Sequence, residues 1–105
     1  MKTHVIDEDG NQTTIEGKIA DLKKMQEIVK GYIEIVNAPI HPKCTAVMGA
    51  ENLQEMVVNE EGLLRPDFGV NHRAREILAD GLGVHVDEIQ PIKGPVFVTD
   101  GWRID

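Results

Sequence analysis

The apolar positions in the first third of the chain follow two different periods. Residues 4–7 and 13–16 are short extended runs, and the turn-forming residues "EDGN" lie between them. This arrangement predicts an N-terminal β-hairpin. From Ile19 to Val29 the apolar residues recur every three or four positions, which predicts one apolar face of a helix. Lys30 and Gly31 then supply the cation and the left-handed glycine with which helices commonly end.

The rest of the chain alternates between short extended runs and loops, with one further helix. Asn71 is a natural N-cap, and the apolar residues after it predict a helix over residues 72–79, which "DGLG" then stops. The predicted strands cover residues 32–36, 45–48, 56–58 and 96–99, and residues 84–89 fit either a strand or a turn. Strands and helices mix without a regular βαβ order. The sequence therefore predicts an α+β fold: a small, mostly antiparallel sheet with an N-terminal hairpin and two helices packed on it.

Composition narrows the class of protein. A chain of 105 residues suits a single domain, and its four aromatic residues require a mainly aliphatic core. The formal net charge of −7 comes from 18 acidic and 11 basic residues. This charge repels a phosphate backbone, so we expect no general nucleic-acid binding. It also suits a partner with a basic surface.

The cellular compartment is predicted from cysteine usage and hydropathy. Cys44 is the single cysteine, so the chain cannot form an internal disulfide, which fits a reducing environment. No stretch reaches membrane-spanning length, and the N-terminus lacks the apolar run of a signal peptide. These features predict a cytoplasmic protein without membrane attachment.

Two short stretches, "VIDEDGN" and "VVNEEGL", share one pattern of two β-branched residues, Asp or Asn, two acidic residues and glycine. A type I turn favours Asp or Asn at its first position, because that side chain accepts a hydrogen bond from the backbone two residues on. Glycine suits the fourth position, where φ is positive. Both stretches therefore predict a hairpin turn with a bulged glycine. The residues at the first and fourth positions are Asp7, Gly10, Asn59 and Gly62.

Glu60 and Glu61 occupy the tip of the second predicted turn. A catalytic pair of carboxylates would have no reason to recur with the same turn pattern. Carboxylates with shifted pKa values also need burial, which a hairpin tip seldom provides. We therefore interpret the two glutamates as turn residues and as candidate contacts for a partner protein.

The N-terminus of the second predicted helix is a candidate anion site. Asn71 precedes free backbone N–H groups, and Arg73 and Arg75 could add charge-assisted hydrogen bonds to a small anionic ligand. Tyr32, after the glycine that ends the first helix, is a further candidate contact for that ligand. The alternative is an ordinary N-cap followed by solvated cations, with Tyr32 packed where the helix meets the sheet.

Other residue types that carry chemistry do not form a recognisable set. His41 and Cys44 make an H-x-x-C pair, but zinc sites need about four ligands and a second pair is missing. The chain has no serine and no glycine-rich phosphate loop. We therefore assign no catalytic residue and expect neither a metal nor a cofactor. Trp102 lies outside the apolar pattern, so it either packs over a sheet edge or contacts a partner.

The motifs together resemble a family of small phage and mobile-element proteins that is catalogued as a domain of unknown function. The resemblance spans nearly the whole chain and rests on "LKKMQEIVKGYIEIV", "MVVNEEGLL", "NHRA" and "IKGPVFV", in this order. Lys30 and Val70 depart from the family pattern, which has glycine and proline there. The resemblance implies a phage or prophage origin, an intracellular location and an accessory role. It implies no catalytic residue.

Three functions follow from these observations as hypotheses. The first is a non-enzymatic accessory protein that binds a host or phage protein, aided by its acidic surface. The second is a protein that binds or sequesters a small nucleotide-like signal through Asn71, Arg73 and Arg75. The third is a small enzyme that uses Glu60 and Glu61, which would have to be buried close to a base. A homodimer is one form that an exposed sheet edge allows.

Overall fold

The computed structural model describes residues 1–104, which form five strands, two α-helices and two short 3-10 turns. The strands are β1 (Lys2–Ile6), β2 (Gln12–Glu16), β3 (Ile33–Ile35), β4 (Leu53–Asn59) and β5 (Val96–Asp100), and the helices are α1 (Leu22–Val29) and α2 (His72–Leu82). The 3-10 turns cover Gly62–Leu64 and Val86–Glu88. The strands form one sheet in the order β2-β1-β5-β4-β3, with every neighbouring pair antiparallel. The α+β prediction, with its N-terminal hairpin and two helices, is confirmed.

The two helices cover opposite faces of the sheet. Side chains alternate between the faces of a strand, so on the central strand β5 Val96 and Val98 face α2 whereas Phe97 faces α1. The α2 side of the core contains Ile6, Met56, Val58, Ala74, Ile77 and Leu78. The α1 side contains Ile19, Met25, Val29, Val57, Phe97 and Trp102. All five residues of β5 are buried, because this strand has a neighbouring strand on each side and a helix on each face.

The end of α1 differs from the sequence-based expectation in one detail. Lys30, not Gly31, takes the left-handed conformation, with φ of 62°. Gly31 is required for a different reason. A Cβ atom at this position would lie 2.6 Å from the amide nitrogen of Asn59, so a side chain here would displace the buried hydrogen bond that this amide donates to the carbonyl of Val29.

One predicted strand is absent, and the end predicted for the second helix was too early. Residues 45–48 were expected to be a strand, but the N–H of Val47 donates to the carbonyl of Cys44 and continues a series of turns. The second helix was predicted over residues 72–79, yet α2 continues through Gly81 to Leu82 and is capped by Gly83, the last residue of "DGLG", in the left-handed conformation. A Cβ atom at Gly81 would lie 2.0 Å from the carbonyl oxygen of Pro39, so this glycine permits close packing instead of ending the helix.

The two acidic turns are not equivalent. Asp7 accepts hydrogen bonds from the N–H groups of Asp9 and Asn11, and Gly10 has φ of +84°, as predicted. In the second copy Asn59 accepts the N–H of Glu61, also as predicted. Gly62, however, does not have a positive φ, and it begins a 3-10 turn instead of closing a hairpin. The prediction of a second hairpin turn was therefore wrong.

Candidate functional site

Asn71 is fully buried, and its side-chain amide joins three parts of the fold. The amide nitrogen donates to the carbonyls of Ile6 at 3.0 Å and Gly94 at 2.9 Å, and the amide oxygen accepts the N–H of Ala74 at 3.1 Å. The predicted cap of α2 is therefore present. The same side chain also ties the helix to β1 and to the segment before β5.

The two arginines of α2 contact different loops. Arg73 donates from Nη1 to the carbonyl of Gly10 at 2.7 Å, at the tip of the first hairpin. Arg75 donates from Nη2 to the carbonyls of Val86 and Ile89, at 3.1 and 2.8 Å. The Nε atom of Arg75 is buried and makes no hydrogen bond to the described residues. The structure thus places Asn71, Arg73 and Arg75 on backbone carbonyls of separate segments instead of around a shared pocket.

Trp102 and Tyr32 have opposite environments. Trp102 is only 8% exposed, packs with the α1 side of the core, and donates from its indole nitrogen to the carbonyl of Lys2 at 2.9 Å. Packing on the sheet is therefore the alternative that the structure adopts for this residue. Tyr32 is 65% exposed, and its carbonyl accepts the N–H of Glu60 at 2.8 Å. Tyr32 thus lies beside Glu60, one of the two glutamates that the sequence analysis identified.

Glu60 and Glu61 are both exposed and border a surface groove of about 250 Å³. We call it the acidic groove and define it by Glu34, Val58, Glu60, Glu61, Leu63 and Leu64, which line it together with further apolar residues of α2 and of the segment before β5. Leu63 is 55% exposed and Leu64 is 79% exposed. The 3-10 turn that replaces the expected hairpin therefore presents two leucines to solvent next to two carboxylates.

The charge around this groove is predominantly negative. Three glutamates line it against one cation, Lys93, whose ammonium group donates to the carbonyl of Arg65 at 3.0 Å. Arg65 itself is paired with Asp67 at 2.8 Å and stacks on the ring of Phe68. The arrangement favours a positively charged segment over an anion. Among the described residues that line the groove there is no histidine to act as a base.

A buried polar network that the sequence did not reveal lies at the other end of the sheet. His4 is fully buried; its Nε2 atom is 2.8 Å from a carboxylate oxygen of Asp100, and its Nδ1 atom is 2.9 Å from the hydroxyl of Thr14. The side chain of Gln12 joins this network, and its orientation is fixed because it accepts from the N–H and donates to the carbonyl of Met48. This orientation turns its NH2 group toward the hydroxyl of Thr14, at 3.1 Å, and toward Nδ1 of His4, at 3.3 Å. An ionised carboxylate can only accept, so Nε2 of His4 carries the hydrogen of the bond to Asp100.

Asp100 also holds the loop that precedes β4. Its carboxylate accepts the backbone N–H groups of Asn52 at 2.8 Å and Glu51 at 3.2 Å. Burial by itself raises the pKa of the Asp100 carboxyl, but the hydrogen bonds from His4, Asn52 and Glu51 outweigh it and hold that pKa below its ordinary value. The network therefore stabilises the ionised carboxylate and ties the loop to the sheet.

Carboxylate, imidazole and hydroxyl lie in the same order as in hydrolytic triads, but the geometry favours a structural role. The His4 side chain is 1% exposed, so it cannot deliver a proton to a leaving group that approaches from solvent. Neither His4 nor Thr14 lines the acidic groove. One signal in the sequence could have indicated the network: strand alternation places His4 on the same face as Ile6, toward the core.

The weaker candidates do not assemble into a site. Cys44 is buried, and burial raises the pKa of its thiol. His41 accepts the N–H of Lys43 through Nδ1 at 3.1 Å, within its own turn. Within residues 1–104, no three His, Cys, Asp or Glu side chains are grouped so that they could hold a metal ion. Over the same residues, neither helix has the length and hydropathy needed to cross a membrane.

Comparison of the chain with protein-family models, with curated proteins and with solved structures finds no match. The resemblance to the phage and mobile-element family therefore stays a prediction. The acidic groove and its exposed leucines are the surface on which a functional proposal can rest.

Proposed function

We propose that this chain is a non-enzymatic accessory protein of the phage or prophage type, and that it binds a host or phage protein through the acidic groove in the cytoplasm. The observation that carries the proposal is the exposure of Leu63 and Leu64 beside Glu60 and Glu61. Single exposed leucines are ordinary on protein surfaces. Two adjacent ones at the rim of an apolar groove form a patch that a partner would cover.

The chemistry of the groove specifies the partner. The leucines and the apolar lining would bury an aliphatic or aromatic side chain, which supplies most of the affinity at the centre of an interface. The carboxylates of Glu34, Glu60 and Glu61 would pair with lysine or arginine at the rim. Such rim charges mainly raise the rate of association and the selectivity for a basic partner. The formal net charge of −7 acts in the same direction.

The two other hypotheses have less support. Sequestration of a nucleotide-like anion by Asn71, Arg73 and Arg75 would need these side chains grouped around one pocket, but they bond backbone carbonyls of separate segments. An enzyme that uses Glu60 and Glu61 would need buried carboxylates close to a base, and both residues are exposed. No specific observation favours either function over protein binding.

The proposal is tested by affinity capture from the cells that encode the protein. The bait carries Leu63→Ser with Leu64→Ser or, separately, Glu60→Lys with Glu61→Lys. A matched control carries Leu82→Ser with Asp80→Lys, because Leu82 is 47% exposed and lies outside the groove. We expect one basic protein to bind the wild type and the control and to be lost from both groove variants. Equal capture by all four baits would contradict the proposal.

A further inference from the structure

The outer edge of β3 carries backbone groups that the sheet leaves free. β3 is the last strand in the order, and β4 is its neighbour. The N–H of Val36 donates to Met56, and the N–H of Glu60 donates to Tyr32. Alternate residues of an antiparallel strand bond to the same side, so residues 32, 34 and 36 direct their backbone groups to β4. Ile33 and Ile35 therefore direct two N–H and two carbonyl groups outward, where no described residue bonds them.

This edge is continuous with the acidic groove. The side chain of Glu34 lines the groove, whereas strand alternation places Ile33 and Ile35 on the opposite face of the sheet, where Ile33 packs with the α1 side of the core. Ile35 is 39% exposed and the neighbouring Tyr32 is 65% exposed. A chain that lay along β3 would thus meet a carboxylate on one face and aliphatic side chains on the other.

We propose that the outer edge of β3 takes up an antiparallel strand from the partner protein, and that the side chains of this strand alternate between basic and aliphatic. The inference rests on the proposed function and specifies how the partner binds. The four outward backbone groups of Ile33 and Ile35 supply the main-chain bonds. Strand alternation then places lysine or arginine opposite Glu34 and an aliphatic residue opposite each isoleucine.

Charge argues against a second copy of this chain as the occupant. Two copies that paired about Glu34 would satisfy the same backbone groups, but the two Glu34 side chains would lie directly opposite each other. Like charges in that position destabilise a strand pair. Each copy would also bring Glu60, Glu61 and a formal net charge of −7 to the interface. A short edge strand with a central acid thus discourages self-association while it remains open to a basic strand.

The other edge of the sheet provides a matched control. The N–H of Gly17 donates to Met1, and the N–H of Asp7 donates to Asn11, so odd-numbered residues of β2 bond to β1. The N–H of Glu16 therefore points outward, like that of Ile35. This edge is far in the strand order from β3, and the acidic groove does not reach it. Proline at either position removes an outward N–H and spares the existing ladder.

The experiment uses a fluorescent peptide of four Lys-Val repeats and measures its affinity by anisotropy. In the proposed pairing the valines, opposite Ile33 and Ile35, donate their N–H groups to β3, and the lysines do not. N-methylation of the valines is therefore expected to weaken binding at least tenfold, whereas N-methylation of the lysines leaves it unchanged. Ile35→Pro is expected to weaken binding at least tenfold, and Glu16→Pro is expected to have no effect. The far-UV spectrum and the urea midpoint of each variant report whether it has folded.

Three outcomes would overturn the inference. Equal affinity for the valine-methylated and unmodified peptides would show that no strand pairs with the edge, and this test uses the wild-type protein. Loss of binding in Glu60→Lys with Glu61→Lys, but not in Ile35→Pro, would refute strand addition and leave the groove proposal intact. A wild-type dimer that Ile35→Pro dissociates would assign the edge to a second copy. Failure of the proposed function would be recognised separately, in the affinity capture from cells: the groove variants would then capture the same proteins as the wild type.

Discussion

His4 and Asp100 lie 96 positions apart in the sequence, yet the imidazole Nε2 and a carboxylate oxygen are 2.8 Å apart in the folded protein. The two residues stand on neighbouring strands, β1 and β5, in the middle of the sheet. Through Asp100 this pair also holds the loop before β4, whose N–H groups donate to the same carboxylate. The contact therefore couples the N-terminal hairpin, the last strand and a long connection.

Asp100→Asn should lower the free energy of unfolding by roughly 2–4 kcal/mol, because it removes a buried, ionised acceptor of three hydrogen bonds. Urea unfolding followed by circular dichroism measures this loss. Asp9→Asn, at an exposed turn position, is the matched control and should change stability by less than about 0.5 kcal/mol. Equal stability of the two variants would mean that the network contributes nothing.

The same variant should reveal the pH dependence of the network. The folded-state pKa of Asp100 is held below its ordinary value of 3.8, so its contribution is fully present above that value and is lost as the pH falls through the folded-state pKa. The stability difference between wild type and Asp100→Asn should therefore shrink as the pH falls through the folded-state pKa of Asp100. Unfolding free energies measured at intervals from about pH 7 to about pH 2 test this. A difference that does not vary with pH would contradict the assignment.

Gly81→Ala should destabilise the protein although alanine is the better helix former. The helix propensity gain is at most about 1 kcal/mol. The added Cβ atom would lie 2.0 Å from the carbonyl oxygen of Pro39, and relief of such a clash moves backbone and typically costs about 1–3 kcal/mol or more. We expect a net loss in thermal stability, measured by calorimetry. Asp80→Ala, at the exposed preceding position of α2, should instead be neutral or stabilising.

Lys30→Gly should stabilise the protein by about 0.5–1 kcal/mol, because Lys30 holds φ of 62° and glycine adopts this conformation without strain. The backbone carbonyl that accepts from Arg65 is retained. Lys24→Gly, the same substitution inside α1, should destabilise by about 1 kcal/mol. Denaturant midpoints of the two variants should thus move in opposite directions, and a shift of both in the same direction would refute the argument.

Local signals predicted those elements whose cause lies within a few residues. The apolar period of α1, the Asn71 cap of α2 and the Asp7 turn were all read correctly, since each depends on contacts between near neighbours in the chain. The sequence predicted only part of the acidic groove. Glu60 and Glu61 were identified as exposed, but the exposure of Leu63 and Leu64 depends on the 3-10 turn, and a hairpin was expected there.

The tertiary structure decided what the remaining polar and glycine residues do. Arg73 and Arg75 looked like free cations, but they bond carbonyls of loops that the fold brings beside α2. Gly62 and Gly81 looked like turn signals, yet they are needed where Lys93 and Pro39 approach. Such contacts join residues that are far apart in the chain, so no local sequence pattern predicts them.

The sequence by itself determined the α+β class, the two helices and the acidic character of the surface, because periodicity, capping and charge are properties of short stretches. Only the tertiary structure decided the strand order, the burial of His4 with Asp100, and the free edge of β3 beside the acidic groove. These features depend on which strands become neighbours. That choice is made by the packing of both faces of the sheet at once, a global property of the folded chain.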